Sequence, residues 1–238
     1  PYYDPEVRAA VEAGPRLGTV KESTLERVRA DRLRANALMQ LSDQVTRTDI
    51  MVPGPADGPG EVRLRIHRPV GATGELPCLY WMHGGGYVLG TNRNDDLRFD
   101  RWCRQFRCVG VSVEYRLAPE HPFPTGLNDC EDALDWVLET RPPQTLFLGG
   151  DSAGGNLAAA LALRLRDRGT PVAGQLLIYP ALDMTASRPG LVGYRGPGMT
   201  PDDCKLLART YLAGADPKAP DASPIHAASL AGLPPAFV

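Results

Sequence analysis

The chain has 238 residues, of which 43% are apolar and 23% charged, and its formal net charge is −2. This composition is typical of a globular protein with a sizeable core. The near-neutral charge argues against a nucleic-acid-binding protein, and no apolar run approaches the length of a membrane span.

The first 45 residues are predicted to form a helical cap segment. Leu25, Val28 and Leu33 recur close to helical spacing, with Arg and Glu residues between them. Acidic residues interrupt the basic stretch from Arg27 to Arg34, which indicates a solvated helix face.

Residues 46–238 are predicted to form one α/β catalytic domain. It begins with an antiparallel hairpin, because alternating apolar residues flank a turn rich in Pro and Gly. Continuous apolar runs then alternate with helical segments, a pattern typical of a doubly wound, mostly parallel sheet. The expected strands are 45–52, 62–66, 79–82, 108–113, 145–148 and 175–179, and the helices between them are 95–106, 129–138 and 157–165.

A short apolar strand runs directly into the motif G-x-S-x-G, which is Gly150-Asp151-Ser152-Ala153-Gly154. A helix follows at once, so the serine is expected on a tight strand-to-helix turn with its hydroxyl above the sheet. The motif alone also arises where small residues cluster at helix starts, but the strand–turn–helix setting favours a nucleophile. Ser152 is therefore the predicted nucleophile.

The loop His83-Gly84-Gly85-Gly86 follows the predicted strand 79–82. Three glycines allow the backbone N–H groups to approach a ligand closely. Acyl transfer needs such donors because negative charge develops on the carbonyl oxygen. The sequence predicts an oxyanion hole made by the N–H groups of Gly84, Gly85 and Ala153. The alternative is a glycine-rich turn without a catalytic role; the phosphate-binding glycine signatures are absent after this strand.

Three blocks resemble the hormone-sensitive-lipase-like family of α/β-hydrolases, the microbial carboxylesterases with an HGGG loop. They are residues 83–90, 115–124 and 150–156. The segments 223–224 and 233–235 are similar to that family's C-terminal landmarks.

The resemblance implies an α/β-hydrolase fold and a serine carboxylesterase that hydrolyses short-chain acyl esters through an acyl-enzyme, without metal or cofactor. It implies the same nucleophile and oxyanion donors, with His83 and Gly86 supporting the loop. It also implies that residues 115–124 are structural, with a pairing of Arg116 and Glu120.

A serine hydroxyl needs a base, and this fold supplies its triad in the chain order Ser, acid, His. Of the four histidines, only His226 follows Ser152. Its context resembles a structural segment rather than the family's base loop. The last residues, 233–238, are expected to enter a buried strand that precedes the acid. We therefore expect the triad Asp and His to lie beyond Val238, not in this chain, and this chain alone to be inactive.

Two alternatives stay open at this point. One is a deacetylase or amidase that acts on small acetylated molecules, and the other is a non-catalytic small-molecule-binding member of the same fold. The expected partner is a small-molecule ester, and an unpaired strand edge would favour a homodimer. The five cysteines show no metal-ligand spacing, which favours free thiols in a reducing, cytoplasmic compartment.

Overall fold

The computed structural model describes residues 22–54, 60–187 and 199–238. Within these ranges, strands and helices alternate along most of the chain. The helices are α1 (Glu22–Ala37), α2 (Asp96–Phe106), α3 (Thr125–Thr140), α4 (Ala153–Asp167) and α5 (Pro201–Leu212), with a 3₁₀ turn at Pro224–His226. The strands are β1 (Val45–Pro53), β2 (Glu61–Pro69), β3 (Cys78–Met82), β4 (Val109–Glu114), β5 (Leu146–Asp151), β6 (Gly174–Ile178) and β7 (Ala236–Phe237).

The described strands form a single sheet with the order β1-β2-β4-β3-β5-β6-β7. The first two strands are antiparallel, and β2 also lies antiparallel to β4. From β4 to β7 all neighbours are parallel. The predicted α/β class, with an antiparallel edge on a mostly parallel sheet, is confirmed. The order places β3 directly beside β5, so the loops that follow these two strands emerge side by side.

The largest differences from the sequence prediction lie outside the central strands. In the predicted cap, α1 ends at Ala37, and residues 1–21 lie outside the described residues. The division between residues 45 and 46 stays a prediction. Helix α5 was not predicted, although Thr200 caps it and Pro201 opens it. The predicted final strand forms as β7, but Phe237 is exposed rather than buried. No helix among the described residues has the length and apolar character to cross a bilayer.

Helix α2 packs on the sheet through a close aromatic contact. Phe99 is fully buried, and its ring stacks on His67 at 4.7 Å between centroids. The helix approaches β4 so closely that a Cβ added to Gly110 would lie 2.1 Å from Phe99 Cδ1. Glycine at this position therefore sets how close α2 comes to the sheet.

We expect Gly110→Ala to destabilise the protein by about 2–3 kcal/mol, because the added methyl overpacks the Phe99 contact. Chemical unfolding would measure the change in the free energy of unfolding. Gly174→Ala is the matched control on β6, since its Cβ would lie 3.2 Å from Phe147, whose side chain is partly exposed and can move. Equal stabilities of the two variants would contradict this packing.

Candidate active site

Ser152 lies at the tight turn between β5 and α4, as the sequence predicted. Its φ is 52°, a left-handed conformation that non-glycine residues rarely adopt. The flanking glycines are required by space: a Cβ on Gly154 would lie 2.0 Å from Met82 O, and one on Gly150 would lie 2.3 Å from Gly154 C. Two backbone hydrogen bonds hold the turn against the end of β6. Ser152 N donates to Ile178 O at 2.9 Å, and Ala181 N donates to Ser152 O at 3.1 Å.

The glycine loop after β3 folds back on itself beside this turn. Gly85 has a φ of 134°, and its carbonyl accepts from Leu89 N at 2.9 Å. His83 is buried and its Nδ1 donates to Gly84 O at 2.9 Å. Burial lowers the pKa of His83 to about 4, so its ring is neutral at pH 7. Tyr115 stacks on this ring and donates its hydroxyl to His83 O at 2.7 Å. These contacts anchor His83 within the glycine loop, and the supporting role that the family resemblance implies for it stays a prediction.

The structure departs from the prediction at Gly84. Its N–H donates to Asp151 Oδ1 at 3.0 Å, so this amide is already engaged and is not free for an oxyanion. By contrast, the N–H groups of Gly85, Gly86 and Ala153 have no hydrogen-bond partner within the described part of the chain. Sequence reasoning missed this role of Asp151. A carboxylate at the variable position of G-x-S-x-G was the available signal.

Two cavities meet at Ser152. One of about 390 Å³ lies under α5 and is mostly apolar, and the other, of about 400 Å³, lies over the glycine loop. Both are lined by Gly86, Ser152, Tyr179, Met199 and Leu207. The first is completed chiefly by Leu182, Met184, Cys204 and Ala208, and the second by Val88, Leu89 and Leu206 together with Arg32, Asn94, Asp151 and Asp203. The predicted loop from 183 to 200 contributes its two ends to the first cavity, and its residues 188–198 lie outside the described residues.

Among the described residues, no hydrogen bond reaches the Ser152 hydroxyl, and His226 lines neither cavity. His226 lies in the 3₁₀ turn, where its Nε2 is 3.6 Å from Asp183 Oδ1. Asp183 itself lines the apolar cavity, and its pKa is lowered by hydrogen bonds from Thr185 and by the nearby His226, which outweigh its partial burial. The structure therefore places an Asp–His pair near the site without bringing its histidine to Ser152.

The segment from Tyr115 to Pro124 contacts the glycine loop through Tyr115. Its ion pairs differ from the predicted pairing of Arg116 and Glu120. Arg116 binds the buried Asp129 at 2.7 Å rather than Glu120. Glu120 instead pairs with Arg29 of α1 at 2.8 Å, and Arg29 also donates to Val88 O. Part of the basic face of α1 is thus bound to the segments beside the glycine loop rather than solvated.

A buried charged cluster lies next to Asp151. Trp81 Nε1 donates to Asp95 Oδ2 at 2.8 Å, and Arg98 Nη1 lies 2.8 Å from Asp95 Oδ1. The Arg98 guanidinium stacks over Trp81 at 4.8 Å and over Trp102 at 5.5 Å. Burial raises the pKa of Asp95 to about 6, and the neighbouring carboxylates of Asp151 and Asp96 add to this effect, whereas Arg98 and the Trp81 hydrogen bond oppose it.

Comparison with known proteins finds relatives among the ester hydrolases. Residues 79–238 match the alpha/beta hydrolase fold. The chain is 39% identical over 207 residues to the carboxylic ester hydrolase LipN of Mycobacterium tuberculosis, a match that covers 80% of this chain and 54% of LipN. The chain therefore spans about half the length of this curated relative.

Solved structures agree with the sequence matches. A bacterial heroin esterase superposes with a TM-score of 0.88 at 35% identity, covering 98% of this chain and 77% of that one. An esterase from the bacterial hormone-sensitive lipase family superposes with a TM-score of 0.80 at 31% identity, again covering 98% of this chain and 77% of that one.

The pKa of Asp95 leads to a pH prediction. Its usual pKa is 3.8, so between about pH 4 and 6 the folded protein holds a proton that the unfolded chain has lost. Folding stability from this group therefore falls as pH rises through that window. Asp95→Asn keeps an acceptor for Trp81 but cannot ionise. We expect the variant to gain about 3 kcal/mol relative to wild type between pH 4 and 7, measured by chemical unfolding. Asp202→Asn, which changes a fully exposed carboxylate, is the control. If the free energies of unfolding of wild type and Asp95→Asn differed by the same amount at every pH, the prediction would be refuted.

Proposed function

We propose, from the premise that this chain belongs to the hormone-sensitive-lipase-like family of alpha/beta hydrolases, that it hydrolyses small-molecule esters through Ser152. One observation carries the proposal. The strained turn holds Ser152 at the point where two cavities meet, beside three backbone N–H groups that have no partner within the described residues.

In the proposed reaction, the Ser152 hydroxyl attacks the ester carbonyl and forms an acyl-enzyme, and the alcohol leaves. The negative charge that develops on the carbonyl oxygen is held by the N–H groups of Gly85, Gly86 and Ala153. Gly86 thus takes the donor role first assigned to Gly84, whose amide binds Asp151. Ala153 is the first residue of α4, so the positive end of the helix dipole adds to the stabilisation of the oxyanion.

The attack also needs a base that takes the serine proton and an acid that orients it. We propose that a histidine and a carboxylate after Ser152 in chain order play these roles, as in the triad of this fold. His83 is unsuited to this role because its Nδ1–H is bound to Gly84 O and its ring is buried. His226 lines neither of the two Ser152 cavities in the described part of the chain. We therefore assign the base to the histidine that we expect beyond Val238 from the sequence.

The apolar cavity under α5 is the proposed acyl site. Its volume of about 390 Å³ and its lining by Leu182, Met184 and Ala208 suit a short aliphatic acyl chain. Release of the acyl group by water would complete the cycle. No step in this scheme requires a metal or an organic cofactor.

Two other functions use the same site. A deacetylase or amidase would differ in its leaving group, so parallel turnover of matched esters and amides separates it from an esterase. A non-catalytic binding protein would hold such ligands without turnover. The cytoplasmic location and the homodimer stay predictions.

We expect Ser152→Ala to lower ester hydrolysis by the complete gene product on the order of 10³-fold or more, because the nucleophile is lost. Labelling of the protein by a fluorophosphonate, followed by mass spectrometry, should locate the modification at Ser152 and disappear in the variant.

Two variants serve as controls for this test. Ser229→Ala removes an exposed hydroxyl far along the chain and should retain labelling and turnover. His226→Gln should also retain turnover, because we assign the base to another residue. An inactive His226→Gln variant would place His226 in the triad, and a wild-type protein that neither labels nor turns over esters would support the binding alternative.

The acyl-site assignment gives a separate prediction. Cys204→Phe should narrow the apolar cavity and lower kcat/KM for a hexanoyl ester by about tenfold relative to an acetyl ester. Lys205→Phe is the control on the same helix, since Lys205 lines neither Ser152 cavity. An equal loss for both esters in Cys204→Phe would place the acyl chain elsewhere.

A further inference from the structure

A carboxylate stands directly beside the proposed nucleophile. Asp151 precedes Ser152, and its Oδ1 accepts the Gly84 N–H at 3.0 Å. The contact is tight, because a Cβ on Gly84 would lie 2.6 Å from Asp151 Oδ2. The side chain is only 19% exposed, so water screens its charge poorly.

The negative charge of Asp151 lies close to the place where a second negative charge forms in the proposed reaction. The carboxylate anchors the glycine loop, whose next amides are the proposed oxyanion donors. An uncompensated negative charge at the same place would oppose the negative charge that forms when Ser152 attacks. The site therefore needs a countercharge that leaves the Gly84 hydrogen bond intact.

Arg98 of α2 lies where such a countercharge is needed. Its Nη1 is 3.8 Å from Asp151 Oδ1 and 2.8 Å from Asp95 Oδ1. The guanidinium stacks over Trp81, whose indole N–H in turn holds Asp95. The charge pair with Asp95 and the stacking on Trp81 hold the cation near Asp151, with its side chain 26% exposed, although its Nη1 makes no aligned hydrogen bond within the described residues.

The Tyr179 hydroxyl also faces Asp151 and donates to its Oδ2 at 3.5 Å. A tyrosine is neutral at physiological pH, and partial burial and the charge of Asp151 raise the pKa of Tyr179 further above its ordinary value of 10.0. It therefore supplies a hydrogen bond but no positive charge. Arg32 lines the same cavity as Asp151, but within the described residues it forms no ion pair with this carboxylate, whereas Arg98 does. Arg98 lines neither of the two Ser152 cavities in the described residues, so it is not positioned to bind substrate directly.

We propose that Arg98 is an electrostatic positioning residue: it neutralises Asp151, so that this carboxylate anchors the glycine loop without opposing the oxyanion formed at Ser152. The inference rests on the proposed ester hydrolysis for its effect on rate. The effect of Arg98 on the electrostatic potential at residue 152 can be measured without any substrate.

The rate test uses the complete gene product. Arg98→Met should lower kcat about tenfold with little change in KM, because the charge acts on the transition state and not on substrate binding. Arg98→Lys keeps the positive charge and should retain most of kcat. In the Arg98→Met background, adding Asp151→Asn should recover kcat, since the Asn oxygen still accepts the Gly84 N–H and carries no charge.

This recovery separates electrostatics from a folding defect. A variant that only loosened α2 would not regain kcat when a second ion-pair partner was removed. Arg104→Met is the matched control. Arg104 lies on the same helix, its Nη2 is 3.5 Å from Asp100 Oδ2, and it lines neither of the two Ser152 cavities. The variant should keep the wild-type kcat.

The substrate-free test places a titratable probe at the nucleophile. In Ser152→Cys, the pKa of the introduced thiol is read from the pH dependence of its alkylation by iodoacetamide. Peptide-resolved mass spectrometry distinguishes it from Cys204, which lines the same cavity. We expect Arg98→Met to raise the pKa of this thiol by about one pH unit and a further Asp151→Asn to reverse the rise.

An unchanged thiol pKa in Ser152→Cys/Arg98→Met, or a pKa that Asp151→Asn fails to bring back, would overturn the inference. Ester turnover by the wild-type protein is scored independently. A wild-type protein without turnover would refute the proposed function, while the thiol titration would still decide whether Arg98 compensates Asp151.

Discussion

The strained turn at Ser152 is the constraint on which the rest of the site depends. A left-handed φ at a non-glycine residue costs on the order of 1 kcal/mol or more, and it persists only where surrounding contacts enforce it. Here Gly150 and Gly154 let the turn pack against Met82 at the end of β3, at distances that no side chain would tolerate. Because β3 lies next to β5, the same packing brings the glycine loop beside the serine.

Charged side chains connect this turn to the surrounding elements in a specific order. Asp151 holds Gly84, and α2 supplies Arg98 close to Asp151. Helix α2 is itself fixed by a buried network in which Asp96 binds Arg65 and His67, both on β2. Buried charges are costly unless they are paired, so each of these groups restricts where its neighbour can lie. The antiparallel edge of the sheet thus helps to position α2 and its arginine.

In the proposed reaction, the two cavities hold different parts of the ester. Both cavities are mostly apolar; Asp183 is the charged residue that lines the cavity under α5, whereas Arg32, Asp151 and Asp203 line the cavity over the glycine loop. An ester must present its acyl and alcohol parts on opposite sides of the attacked carbonyl. A serine at the junction of the two cavities is suited to an ester whose short acyl chain lies under α5 and whose alcohol part extends over the glycine loop, toward these charged side chains.

The sequence alone determined the sheet, the nucleophile turn and the existence of the glycine loop. Buried parallel strands are continuous apolar runs, and a turn that tolerates only glycine on both sides of a serine leaves a local signature. Helix α5 carried its own signal in the capping box of Thr200 and Asp203, which pattern reading overlooked. Other features were decided by the tertiary structure alone: that Asp151 occupies the Gly84 amide, that Arg116 pairs with Asp129 and not Glu120, and that Arg98 reaches Asp151. The reason is physical, because hydrogen bonds and ion pairs join groups 13 to 67 residues apart and form only after packing has set their distances.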